Sequence, residues 1–247
     1  LLCSVCRAPH RCACPVRCDV CERPELLNGD VSSNRPVADM QHSPVSLQAC
    51  PSDPALRVMF EARKRVCVDL LKWDVPVLDD AYEIDQFDTP DASYLVLTDG
   101  EGRHRASARL LRTDGAHILG ELFPCLCDGP IPSRYDFREI TRFCIEPTLS
   151  RFERRTARDQ LVTALADHAL KTGLSGYTAV ANRVWFRQIE SFGWQCRTLG
   201  GGCRIDGEDL VALQIDIDCD TPDDLARGGI YRKGVYRVAE AASEVVS

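Results

Sequence analysis

The sequence predicts an α/β sandwich, a mixed sheet with helices on its faces. An amphipathic helix comes first, several strands including a hairpin follow, and helices and strands then interleave, an order that stacks helices on a shared sheet. With 247 residues, 45% of them hydrophobic and 27% charged, the chain can bury one sizeable core.

The first 53 residues stand apart from this pattern. They are rich in Cys, Pro, Arg and Ser and have neither helical nor strand periodicity. Six of the fourteen cysteines fall here: Cys3, Cys6, Cys12, Cys14, Cys18 and Cys21. The CxxC pairs Cys3/Cys6 and Cys18/Cys21 have the spacing of a tetrahedral zinc site. Too few apolar residues surround them to pack such a site, so the segment reads as a disordered leader and no metal is expected.

The globular pattern starts at Pro54. Asp53-Pro54 opens a helix, "PALRVMFEARKRVCVDLLKW", with Asp as cap and Pro at the first position. Its apolar stripe wants an apolar side chain at position 63 and finds Arg63, which either meets a carboxylate or snorkels to the helix edge. "WDVPVLDDAYEIDQFD" gives a strand at 82–88 carrying Glu83, Asp85 and Asp88. "YLVLTDGEGRHRASARLL" is a hairpin turning at Asp99-Gly100-Glu101-Gly102. "FREITRFCI", 137–145, is a strand, and "RFERRTARDQLVTALADHALKTG" a helix with Leu161, Leu165 and Ala169 on one face, stopped by Gly173. "GYTAVA" is a strand, "NRVWFRQIESFG" a helix capped by Asn182 and ended by Gly193, and "LVALQIDID" a closing strand.

Charges recur where a core is expected. Arg63, Arg109 and Arg142 stand against Glu83, Asp85, Asp88 and Glu139, and all seven come from apolar-patterned elements. Each singly reads as an edge salt bridge. Together they point to a polar cluster in a cleft. A net charge of −7 argues against wholesale nucleic-acid binding while leaving room for a local basic patch, and no apolar stretch is long enough to span a bilayer. Scattered cysteines in the main body read as reduced, and a cytoplasmic location is expected.

The order Arg63, Trp73, "EIDQFD", "SARLL", "EITRFC" resembles the LuxI-type acyl-homoserine-lactone synthases, over about 56–218. The family's pattern falls on Arg63, Cys67, Trp73, Asp85 with Asp88, Arg109, and Glu139 with Arg142. The family usually has phenylalanine where Cys67 stands, so a larger donor pocket is expected. Family members begin about as far before the first Arg as Met40 does here, which makes Met40 the expected start and residues 1–39 upstream read-through.

The resemblance implies a GNAT-like three-layer α/β/α sandwich whose sheet is mixed and mostly antiparallel, with the synthase domain at 54–247. It implies S-adenosylmethionine as substrate rather than cofactor, and an acyl thioester on acyl carrier protein. The donor's amine attacks the thioester, and its carboxylate then closes the lactone as methylthioadenosine leaves. Glu139 is the expected base, with Asp85 second, and Asp88, Arg109 and Arg142 complete the catalytic set. Arg63, Cys67, Trp73, Phe143 and Thr178 would bind substrate. Arg151, Arg154, Arg155 and Arg158 would dock the acidic carrier. Two other readings stand beside this one: an N-acyltransferase acting on another amine, and a non-catalytic acyl-carrier-binding protein.

Overall fold

Asp53 caps the first helix as its composition predicts, its side chain accepting from the Ala55 N–H at 2.8 Å. The structure is a computed structural model and describes residues 53–240. The cysteine-rich leader and Met40 lie outside the described residues. Helix α1 spans Pro54–Arg63 and widens into a π-helical stretch, Lys64–Leu70. Strands β1 (Val77–Leu78) and β2 (Tyr82–Glu83) form a small separate ribbon.

The main sheet contains β3 (Ser93–Thr98), β4 (His104–Arg112), β5 (Phe137–Ile145), β6 (Gly176–Asn182), β7 (Gln195–Thr198), β8 (Cys203–Ile205), β9 (Glu208–Asp216) and β10 (Arg237–Glu240). Their order is β10-β3-β4-β5-β6-β9-β7, with β8 also on β9. Among the described residues only β5 and β6 run parallel, because α3 (Arg151–Thr172) crosses between them. Ser150 and Glu153 form a capping box at the start of α3, and Gly173, with φ +74°, ends it. Helices α2 (Ile118–Leu122), α4 (Arg183–Glu190) and α5 (Thr221–Arg227) complete the set.

Two apolar layers sandwich the sheet. Phe60, Tyr94, Val96 and Leu119 pack it against α1 and α2. Leu161, Leu165, Tyr177 and Phe192 pack it against α3 and α4. This is the three-layer sandwich expected from the sequence.

The strand expected at 82–88 is a strand only at Tyr82–Glu83. Beyond it, Asp85 Oδ1 accepts from the Phe87 N–H at 2.9 Å and Asp88 Oδ2 from the Asp85 N–H at 2.8 Å. Carboxylates that bond their own backbone favour a turn over an extended ladder.

One irregularity decides where the site lies. Arg142, on β5, has φ +48°, and the β4–β5 register slips between Ser107 and Arg109. The resulting bulge turns both Thr141 and Arg142 toward the α1 side. β5 and β6 pair only over Phe137–Ile140 and Gly176–Ala179, although both strands run on. Past that point they part, leaving a cleft between these two parallel neighbours.

Candidate active site

Six charged side chains from α1, β2, the turn after it, β4 and β5 meet under α1. Arg63 Nη1 and Nη2 donate to the two oxygens of Asp88 at 2.7 and 2.8 Å, and Nε donates to Glu83 at 2.5 Å. Arg109 donates to Asp85 at 2.5 and 3.1 Å and lies 2.9 Å from Asp88. Arg142 Nη2 donates to Glu83 at 2.9 Å and to Asp85 at 2.6 Å. Tyr94 Oη adds a hydrogen bond to Asp88 at 2.9 Å, and Thr141 Oγ1 accepts from Arg109 Nε at 2.9 Å. All six are at most 6% exposed.

Three guanidiniums and three carboxylates balance, and bidentate geometry offsets the cost of desolvating them. Burial pushes Glu83 up, but Arg142 and Arg63 outweigh it and hold the carboxyl at about 2. Asp88 is likewise raised by burial and brought far below the usual range by Arg109 and Arg63. The arginine in the apolar stripe therefore does not snorkel; Arg63 is wholly buried and paired.

Trp73 borders this cluster, with the Arg142 guanidinium 5.4 Å from its ring centre. Its buried Nε1–H has no partner among the described residues. Cys67 sits beside it, 1% exposed, against Val66 and Cys144.

Glu139 is not in the cluster. It lies on the same face of β5 but accepts from the Ile118 and Leu119 N–H groups, at 2.7 and 2.9 Å, at the start of α2. Burial raises it to about 7, against the opposing pull of those two N–H groups and of Arg109. Its ladder partner on β6 is Thr178, whose buried hydroxyl has no partner among the described residues. The pair occupies the rung before the last, just before the strands part.

On the other side of the cleft, Phe143 joins Ile140, Ala179, Ala181, Trp185 and Phe192 around a narrow apolar cavity of about 30 Å³. Arg151, Arg154 and Arg155 are exposed at the start of α3, next to Phe152, which is 76% exposed. Arg158 differs from them. Its Nε donates to Asp159 at 2.9 Å and its guanidinium lies 5.0 Å from the Phe192 ring centre, so it is held inward.

The cluster was legible residue by residue except for Tyr94 and Thr141, which read as ordinary strand residues. The short helix α2, which anchors Glu139, was not anticipated. Its one signal is His117-Ile118-Leu119 after a turn. Among the described residues no group of three or more His, Cys, Asp or Glu could hold a metal ion, and no helix is long and apolar enough to cross a membrane.

A family model described as "Autoinducer synthase" matches residues 49–225. An acyl-homoserine-lactone synthase of Acinetobacter baumannii is 39% identical over 164 residues, 63% of this chain and 88% of that one. Among solved structures, the CoA-dependent acyl-homoserine lactone synthase MesI is similar at a TM-score of 0.65 and 25% identity, over 73% of this chain and 89% of that one. A second CoA-dependent synthase, BjaI, bound to SAM and isopentyl-CoA, is similar at 0.64 and 25% identity, over 72% and 83%.

Proposed function

The chain belongs to the autoinducer synthase family and is an acyl-homoserine-lactone synthase, and on that premise we propose that its amide forms in the cleft between β5 and β6, from S-adenosylmethionine and an acyl group carried by acyl carrier protein. The observation that carries this reading is the parting of the strands before Arg142, beside a buried hydroxyl with no partner among the described residues and a carboxyl poised near neutrality.

The chain's own groups divide the work. Trp73 offers an indole face and a buried N–H without a partner among the described residues, suited to a cationic donor that also carries oxygen acceptors. The arginine–carboxylate cluster fixes that indole and the bulge, since each of its members has at least two polar partners. Glu139 takes a proton from the donor's ammonium, directly or through water, which its raised pKa suits. The freed amine attacks the thioester carbonyl, and backbone N–H groups of the splayed β5 steady the oxygen that gains charge. The C–S bond to the carrier breaks, and the carrier thiolate takes a proton. The donor carboxylate then attacks its own γ-carbon, closing the ring as methylthioadenosine leaves. The acyl chain takes its apolar seat among Ile140, Phe143, Ala179 and Trp185, where the cavity of about 30 Å³ must widen to admit it.

Arg151, Arg154 and Arg155 around exposed Phe152 fit an acidic carrier protein better than a small nucleotide thioester. The test is steady-state turnover of the purified full chain with S-adenosylmethionine and a panel of acyl chains, each supplied on acyl carrier protein and on CoA. The lactone, read by mass spectrometry, is expected with higher kcat/KM on the carrier. Changing the three arginines to Glu should lower the carrier-dependent rate alone. Equal rates on CoA would overturn the carrier assignment, and no lactone from any donor would overturn the mechanism.

A further inference from the structure

We propose that His117 is a positioning residue for Glu139, folding the turn whose two backbone N–H groups hold that carboxyl. The effect on turnover rests on the reading of Glu139 as base. Helix α2 has five residues, too few to persist alone. Ile118 and Leu119 are buried and fix where the helix lies, but not how its first turn is aimed. His117 stands at the N-cap, yet its side chain caps no helix N–H. Glu139 does so instead, reaching from β5 to the Ile118 and Leu119 N–H groups.

The imidazole shapes the turn from both sides. Its Nδ1 lies 2.8 Å from the Gly115 carbonyl, which can only accept, so Nδ1 carries the proton and donates. The ring also covers Gly120, where a Cβ would lie 2.8 Å from Cε1 and 3.1 Å from Nε2. His117 thus ties the loop before it to the turn after it, while its own carbonyl accepts from the Glu121 N–H at 2.9 Å. Nε2 is left as a bare acceptor, buried and without a partner among the described residues. A buried nitrogen in that condition is costly. The fold tolerates it because the donor nitrogen and the ring are both occupied in holding the turn.

The turn acts through the carboxyl it holds. N–H groups that donate to a carboxylate favour its ionised form. At Glu139 the Leu119 and Ile118 N–H groups, with Arg109 of β4, oppose the burial that raises it to about 7. β6 faces it with the uncharged Thr178, and α2 brings His117 itself and the exposed Glu121. A looser first turn weakens two of the three opposing contacts and drives Glu139 higher. A limb moved from about 7 to about 8 costs about tenfold in kcat/KM on its acid side and nothing on its alkaline plateau.

The experiment compares the full chain with its His117→Ala, His117→Asn and Gly120→Ala variants by two readings. One is the titration of the Glu139 carboxyl, followed by carboxyl-carbon NMR in glutamate-labelled protein and identified by its absence from Glu139→Gln. The other is the pH profile of kcat/KM, with ring-opened product counted beside the lactone. His117→Ala removes the tether, and Gly120→Ala displaces the ring although alanine ordinarily favours a helix. Both should raise the titration midpoint and carry the acid limb with it. His117→Asn keeps a donor for the Gly115 carbonyl and cannot titrate, so it should return both readings toward wild type. If His117→Ala fails to fold, Gly120→Ala carries the test. An unmoved midpoint, a loss of rate equal at every pH, or His117→Asn behaving as His117→Ala overturns the proposal. A midpoint that moves while the limb stays keeps the positioning role and overturns Glu139 as base.

Discussion

Glu83→Gln removes one charge from the balanced cluster while keeping the side chain's volume. Two arginines lose their shared partner, since Arg63 and Arg142 both donate to Glu83. Glu83 titrates at about 2 in place of its ordinary 4.5, a gap worth about 3 kcal/mol. Breaking a buried ion pair by truncating one partner costs about 3–5 kcal/mol, which agrees. For a chain of this size that lowers Tm by roughly 6–20 °C. Urea unfolding should show the midpoint falling at constant slope. Because the folded pKa is depressed, Glu83's contribution is complete above 4.5 and fades as pH falls toward about 2. Wild type and variant should therefore converge in acid. Adding Arg142→Gln restores neutrality, so the double variant should lose less than the two single losses combined. A loss below about 1 kcal/mol at neutral pH, the worth of an exposed pair, would refute the picture of a dry, mutually dependent cluster.

The remaining expectations concern single side chains. Glu139→Gln should stay folded and lose turnover. In wild type, kcat/KM should rise with pH through about 7 as Glu139 deprotonates; an unchanged profile in the variant would remove Glu139 as base. Cys67→Phe supplies the family's usual ring, but at a buried position clustered with Val66, Trp73 and Cys144. Denaturation should show a cost of about 1–3 kcal/mol, reduced when Cys144→Ala makes room. Thr178→Val removes a buried hydroxyl that has no partner among the described residues. Its stability should hold or rise by up to about 1 kcal/mol, and a marked loss would mean the hydroxyl is satisfied in solution.

Charges in apolar patterns make most of the site readable in the sequence alone. Arg63 interrupts a helix stripe and Arg109 an apolar strand, so each demanded a partner, and Glu83, Asp85 and Asp88 supply them. The separation of Glu139 from Arg142 was not readable. They are three residues apart in one strand, and only the left-handed backbone at Arg142 turns the latter's side chain to the cluster. An arginine does not announce that conformation, as a glycine or an asparagine would. Asp85 and Asp88 misled in the opposite way, because alternation with Ile84 and Phe87 reads as a strand while the carboxylates were folding their own turn. The short strands β7, β8 and β10 depend on the ladder offered by β9 and β3, which is a tertiary fact.

Among the described residues, the last strand of the main sheet to be made lies against the first. β10 pairs with β3, and Arg237 reaches the helix cap Asp53 at 2.9 Å. During vectorial synthesis the flank of β3 stays bare until residue 240 has left the ribosome, with α1 lacking its outer tether. An uncovered strand flank recruits other chains. Each nascent molecule thus passes through a stage in which self-association competes with completion. Slow translation lengthens that stage, and a chain cut short before Arg237 never leaves it.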